Sequence, residues 1–201
     1  YIPNGSHADP PITSDGKETE GETPAALQKF KQDNLFLALF SGSIIKTNRL
    51  ETVIDAAEQL KDEKRIRLLI IGRGQEEGTY RQLIKDKKLD NISILPPVKK
   101  FQVPFMLRQA DVLMLNQGNV QWGSMNKLYD YMASGRPIIS GVHARHNDVV
   151  TEVGGGVSIP ANDAVELAGA IRSVFNMNPV ERDAMGTKNK EFVRANHDWK
   201  V

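Results

Sequence analysis

Apolar residues arrive along this chain in short dense runs, separated by longer stretches where they recur every three or four positions. Residues 35–41 (LFLALFS), 66–71 (IRLLII), 92–95 (ISIL) and 112–115 (VLML) are nearly continuous blocks of Leu, Ile, Val, Phe and Met. Residues 35–41, 66–71 and 112–115 are too apolar for a strand with one wet face and read as buried strands, and 92–95 reads as a short strand. Residues 137–141 and a weaker run at 157–159 bring the number of strands to six. Helical stripes lie between them. Leu50, Val53, Ile54, Ala57 and Leu60 share one face, and Tyr80, Leu83 and Ile84 mark a second helix. Residues 101–109 predict a brief third helix with Pro104 in its first turn, 127–133 a fourth stopped by Gly135, and 148–153 a fifth closed by glycines 154–156. Asn162 or Asp163 caps a sixth, whose stripe is Leu167, Ala168, Ile171, Val174 and Phe175, and 179–195 forms a last polar-faced helix. Residues 24–32 predict a short helix feeding the first strand. This alternation implies an α/β fold: a Rossmann-like parallel sheet of about six strands with helices on both faces.

In such sheets ligands bind outside the carboxyl ends of the strands. Four loops converge there: 42–49, 72–75, 96–99 and 117–126. The last opens the stretch NQGNVQWGSMNKLYDYMASGRPIIS, residues 116–140, in which a buried strand leads through a loop with Gly118 and Gly123 into a helix. Loop amides and first-turn N–H groups without intrahelical partners, with the helix dipole behind them, make an anion cradle. Asp130, one turn inside that helix, is placed to accept hydrogen bonds from sugar hydroxyls beside a bound phosphate, or is simply a solvated carboxylate. Residues 42–49 (GSIIKTNR) add a glycine, Ser43, Lys46 and Arg49 ahead of a helix, a composition that suits a diphosphate as well as an ordinary turn. Gly72-Arg73-Gly74 either admits a ligand closely or reverses the chain. Trp122 stacks on a ligand or partner, or rests on the core. Gly-Lys-Ser/Thr is absent, and no G-x-G-x-x-G follows the first strand, so neither a P-loop nor a dinucleotide dehydrogenase domain is indicated.

Composition narrows the classes. A net charge of +1 lacks the basic footprint of a nucleic-acid binder. Zero cysteines excludes disulfides and thiolate metal sites. His143 and His146 lie three apart without an obvious third ligand, and no Asp-x-Asp occurs, so no metal site is expected. No apolar run approaches the ~20 residues of a membrane span. Residues 6–23, with Pro10, Pro11, Gly16 and Gly21, read as a polar arm. The chain opens at Tyr1 and closes at Val201 just after Trp199, and is expected to be one domain of a longer protein.

Seven stretches, in order, carry a family resemblance. Residues 1–5 (YIPNG) look like V-x-P-N-G, and 42–56 match the spacing of G-R-L-x-x-x-K-G-x-x-x-L-[IL]-x-A. Residues 68–74 resemble L-x-I-x-G-x-G, and Ala110-Asp111-Val112 matches A-D-V. Residues 128–138 resemble L-E-A-M-A-x-G-x-P-V, 163–171 resemble D-x-x-x-L-A-x-A-I, and Trp199 sits where a Trp precedes the final crossing helix. The set resembles the C-terminal, donor-binding domain of family 4 retaining glycosyltransferases with the GT-B fold, of the type that builds bacterial surface polysaccharides. That resemblance implies a junction and polar arm over 1–34 and a nucleotide-sugar donor-binding domain over 35–201, one half of a GT-B fold.

The resemblance also implies roles. Gly42, Ser43, Lys46, Asn48 and Arg49, with Gly123, Ser124, Met125, Asn126 and Lys127, would hold the donor diphosphate. The family's two diphosphate cations fall on Ser43 and Asn48, neither charged, with Lys46, Arg49 and Lys127 as replacements. Asp130 falls on the second acid of the paired-acid motif and would bind the ribose. The first acid falls on Trp122, which would face the donor sugar. Arg73, Pro97 and Val98 would meet the base. The implied reaction is sugar transfer with retention from a nucleotide diphosphate, UDP by preference, to a glycan or lipid-linked acceptor, with no metal or other cofactor. The implied partners are that donor and an N-terminal acceptor-binding domain outside this chain, through which the protein would associate peripherally with a membrane. Neither a nucleic acid nor a transmembrane segment is implied, and the implied location is cytoplasmic, at the inner face of the cell membrane. This chain alone would turn nothing over. The competing reading is a non-catalytic nucleotide or nucleotide-sugar binding module, which the uncharged Ser43 and Asn48 and the Trp122 replacement favour.

Overall fold

The computed structural model describes residues 27, 33–118, 126–142 and 144–196, without the side chains of 126 and 144–148. Its strands are β1 (Phe36–Ser41), β2 (Ile66–Ile71), β3 (Ile92–Leu95), β4 (Val112–Asn116), β5 (Ile138–Gly141) and β6 (Gly156–Ser158). Its helices are α1 (Glu51–Gln59), α2 (Glu77–Asp86), α3 (Val103–Leu107), α4 (Asn126–Ala133), α5 (Ala144–Val153), α6 (Ala164–Asn176) and α7 (Pro179–Asn196). Of the helix expected over 24–32, Leu27 alone is described; it is helical and buried. Trp199 and the 1–5 segment lie outside the described residues.

All six strands are parallel, in the order β3-β2-β1-β4-β5-β6. The chain builds outward from β1 in one direction, then returns past it and builds outward in the other. Right-handed crossovers therefore place α1 and α2 on one face and α3, α4 and α5 on the opposite face, and of the last two helices α6 returns to the first face and α7 covers the second. Alternate strand residues feed two separate cores. Phe36, Ala38 and Phe40 of β1 and Ile66, Leu68 and Ile70 of β2 pack with Val53 and Ile54 of α1, Tyr80 of α2 and Ile171 of α6. Leu37, Leu39, Leu69 and Leu113 pack on the other side with Met106 of α3, Tyr131 and Met132 of α4, Val150 of α5 and Val193 of α7. Burial on both faces explains why β1, β2 and β4 read as unbroken apolar runs rather than as alternation, whereas the edge strand β3 alternates buried and half-buried residues.

Two helices differ from the sequence expectation by more than one residue at an end. Residues Lys100–Gln102 form a 3-10 turn, and α3 proper begins at Val103 and stops at Leu107. Pro104 has no N–H to give to the carbonyl four residues back, so the tighter turn precedes it. Helix α5 begins at Ala144 rather than near 148. Its apolar stripe, Val149, Val150 and Val153, marks only the second half, and the segment ARHN ahead of it offers no periodicity to read. The Asp163 cap of α6 is as expected, its carboxylate accepting from the Val165 and Glu166 amides at 3.0 Å each.

Two glycines in helices have opposite surroundings. A Cβ on Gly186 of α7 would collide with the carbonyl oxygen of Gly135, where α7 lies directly on the turn after α4. A Cβ on Gly169 of α6 would meet nothing within 4 Å. The same substitution therefore carries opposite signs. Gly169→Ala is expected to stabilise the fold by about 0.5–1 kcal/mol by relieving the entropy cost of helical glycine. Gly186→Ala is expected to destabilise it by roughly 1–3 kcal/mol through overpacking. Urea denaturation of the two variants checks the sign and size of both.

Candidate functional site

The strand order reverses between β1 and β4, and these strands pair over only two residues, Ala38 with Val112 and Leu39 with Leu113. Beyond that they part, and the crevice opens at their carboxyl ends, the position where open α/β sheets bind ligands. The loop after β1 is held almost wholly by backbone. The Gly42 amide donates to the Ile71 carbonyl (3.0 Å), the Ile44 amide to the Arg73 carbonyl (2.9 Å), and the Glu76 amide to the Ile44 carbonyl (3.1 Å). Any Cβ on Gly72 would strike the Gly42 carbonyl, and any on Gly74 the backbone of Ile44. Gly72-Arg73-Gly74 is thus a seat on which the neighbouring loop rests. Within that loop the Asn48 side-chain amide donates to the Ser43 carbonyl at 2.6 Å. Asn48 is buried, so its side chain faces inward while Ser43, Lys46 and Arg49 are exposed.

The loop after β4 is sewn to the same place. Buried Asn116 donates from its side-chain amide to the carbonyls of Asn48 (2.7 Å) and Arg49 (2.8 Å), and the Gly118 amide donates to the Thr47 carbonyl at 2.8 Å. Arg49 holds a left-handed conformation (φ 47°, ψ 48°), and its stem lies against Gly118. Its guanidinium pairs with Glu51 at 2.7 Å. The same carboxylate accepts from the Tyr80 hydroxyl at 2.8 Å. Burial and the adjoining carboxylate push the Tyr80 phenol well above the usual tyrosine range.

Helix α4 is fixed to the end of β1 by one side chain. The Ser41 amide donates to the Tyr131 hydroxyl oxygen at 2.7 Å, and that hydroxyl donates to the Ser41 carbonyl at 3.0 Å. Tyr131 is fully buried, which raises its phenol far above the ordinary value. One turn earlier on the same face, the Lys127 ammonium lies 4.4 Å from the centroid of the Phe40 ring. It lies so close to Gly42 that a Cβ there would sit 2.6 Å from Nζ. Burial lowers the Lys127 pKa to about 8.

Of the residues singled out from sequence, Gly42, Ser43, Lys46, Asn48, Arg49 and Lys127 gather at the carboxyl ends of β1 and β4. Asn126 is the first residue of α4, and Asp130 is exposed on that helix. Arg73 is exposed at the end of β2, while exposed Pro97 and half-buried Val98 follow the edge strand β3. Trp122, Gly123, Ser124, Met125 and His143 lie outside the described residues, and the side chain of His146 is not described. Among the described residues no group of three His, Asp or Glu could hold a metal ion, and no helix is long and apolar enough to cross a membrane. Sequence reasoning missed Tyr131 and Asn116. Tyr131 reads as one more apolar residue of a core stripe, and Asn116 as the polar end of a strand.

The family described as glycosyl transferases group 1 matches residues 22–192. The protein named as colanic acid biosynthesis glycosyltransferase WcaL of Escherichia coli (strain K12) is 30% identical over 156 residues, covering 75% of this chain and 38% of its own length. This chain therefore spans little more than a third of that relative. Among solved structures, the C-terminal domain of a glycosyl transferase group 1 family protein (LpcC) from Francisella tularensis superposes with a TM-score of 0.70 at 16% identity, covering 89% of this chain and 96% of that one. The S. aureus protein TarM, solved with UDP and a GlcNAc-glycerol, superposes with a TM-score of 0.69 at 16% identity, covering 91% of this chain and 36% of that one.

Two substitutions test this geometry. Tyr131→Phe keeps the ring but leaves the Ser41 amide and carbonyl without their partner, and is expected to cost about 1–3 kcal/mol in urea denaturation. Lys127→Met has the opposite sign. The folded pKa of about 8 lies below the ordinary lysine value of 10.5, so the folded state binds fewer protons between those limits. The destabilisation is complete below pH 8 and fades as pH rises toward 10.5. The variant should melt at a higher temperature than the parent at pH 7, with the difference shrinking by pH 10.

Proposed function

The chain belongs to the family of group 1 glycosyl transferases, and on that premise we propose that it is the donor-binding domain of a retaining, metal-independent enzyme of family 4. That enzyme moves a sugar from a nucleotide diphosphate, UDP by preference, to an acceptor hydroxyl. The observation that carries this reading is the convergence at the strand-order reversal. A loop with cations Lys46 and Arg49, the start of α4, and the Lys127 ammonium all meet where β1 and β4 part. The WcaL relative is named for colanic acid biosynthesis, and TarM was solved with UDP, which supports the choice of donor class.

The chemistry asked of such a site is stabilisation of a leaving group. As the bond between sugar and diphosphate breaks, negative charge grows on the phosphate oxygens. Fixed N–H donors and ammonium groups meet that charge without reorganising. Each helix-terminus or exposed cation contact contributes ~0.3–1 kcal/mol, and more once water is excluded. Asp130 on the same helix takes the ribose hydroxyls, and Arg73, Pro97 and Val98 line the approach for the base. Trp122 meets the donor sugar, and Gly123, Ser124, Met125 and Asn126 complete the amide cradle. The acceptor and the remaining catalytic groups come from an N-terminal domain outside this chain, so the domain binds donor without consuming it.

A second reading, a nucleotide-binding module with no transferase activity, is favoured by Asn48. Its side chain is spent inside its own loop at a position where a cation is expected. The two readings part on consumption: with the domain present in its full-length protein, a transferase depletes nucleotide-sugar, whereas a module saturates and depletes nothing.

Calorimetric titration with UDP, GDP and ADP, without metal and then with magnesium, is expected to give metal-independent binding with UDP tightest. Asp130→Ala is expected to weaken that binding by ~1–3 kcal/mol through loss of a charged hydrogen-bond acceptor. A folded variant with unchanged affinity would remove Asp130 from the site.

A further inference from the structure

The three cations around the crevice are not equivalent. Lys46 is exposed on its 3-10 turn. Arg49 is engaged by Glu51, which Tyr80 in turn holds. Lys127 is the one whose ammonium the fold tucks against the sheet, over the Phe40 ring and beside Gly42, with no carboxylate paired to it among the described residues. A cation is costly there unless an anion arrives. The backbone beside it is Gly42, which places no side chain of its own between the ammonium and a ligand. Tyr131, one turn on, locks the helix that carries it.

Resting on the donor reading above, we infer that Lys127 is the charge that seats the donor diphosphate, and that arrival of the nucleotide draws a proton from solvent onto it. In the empty domain burial alone lowers the pKa of Lys127, to about 8, so near that pH half the molecules carry it neutral. A diphosphate beside Nζ favours the charged form and raises the pKa again. Other charges nearby are arranged so as not to substitute for it. Asp130 is exposed on the same helix, and Lys46 and Arg49 project from the loop after β1. From α7, Lys190 lies beside Gly135 and Asp183 beside Arg136, both past the far end of α4. The position explains how the site works with Ser43 and Asn48 uncharged: the cation has moved from the loop after β1 to the helix after β4.

The test is calorimetric titration of the chain with UDP, with GDP and ADP alongside, at pH 7, 8 and 9. Each is run in two buffers of different ionisation enthalpy, so that protons taken up per nucleotide are counted. This window lies above the second ionisation of a phosphate, near 6. The expected result is little uptake at pH 7, about half a proton at pH 8 and nearly one at pH 9, with affinity falling about tenfold from pH 7 to pH 9. Lys127→Met is expected to bind about a hundredfold more weakly at pH 7, to lose the pH dependence and to take up no proton. A parent chain that binds with no proton uptake at pH 9, or a variant that binds as tightly as the parent, overturns the inference and leaves the donor reading standing. A parent chain that binds none of the three nucleotides overturns both. The proton count needs no variant, and the variant is expected to be the more stable protein, so misfolding cannot imitate its loss of affinity.

Discussion

β1 is the middle of the sheet, yet on its β4 side it has a neighbouring strand for only part of its length. Its odd-numbered residues point their amides and carbonyls that way. Leu39 finds β4 in register. Leu37 donates to the Asp111 carboxylate at 2.8 Å and accepts from the Asp111 amide at 2.9 Å. Ser41 finds neither strand nor backbone, and the Tyr131 hydroxyl takes both of its groups. Buried backbone groups must be paired, so two side chains, Asp111 at one end and Tyr131 at the other, let β1 and β4 diverge. At the carboxyl ends, where the strands part, it is the Tyr131 pairing that keeps Ser41 satisfied, and the place of α4 and Lys127 against β1 follows from it.

Much of this was legible in the chain. Six strands, helices on both faces and the converging loops follow from run length and periodicity, because burial on two faces leaves an unambiguous apolar signature. Asp111 was visible as part of a three-residue match without its physical role, which is to cap the pairing of Leu37. Tyr131 and Asn116 were not legible. Their work depends on which backbone groups lack a partner across 90 and 68 residues of sequence, and no local pattern encodes that. Asn48 was legible only as a position; that its amide turns inward to the Ser43 carbonyl is a property of the closed loop. Gly72 and Gly74 announced a tight place, and only the fold reveals that what comes close is the protein's own backbone at Gly42 and Ile44.

Lys127 illustrates why stability and binding pull against each other at such a site. An ammonium over an aromatic ring, beside a glycine and with no ion pair among the described residues, is a poor choice for an empty fold. It is a good choice for a fold that is to be completed by an anion. Local sequence gives no sign of this tension, because KLYDYMA has the look of a plain amphipathic helix.

The loop after β1 is secured through main-chain bonds to Ile71, Arg73 and Glu76 and through Asn48 and Asn116, with Ile44 as its buried anchor. None of those anchors uses the side chains of Ser43, Ile45, Lys46 or Thr47, all of which are exposed. Rim and foundation are therefore separately heritable. Mutation can recolour the rim, adding or removing charge at 43, 46 or 47, without disturbing the foundation beneath it. A lineage built on this scaffold is free to change the chemistry of that rim one surface residue at a time, with its fold intact at every step.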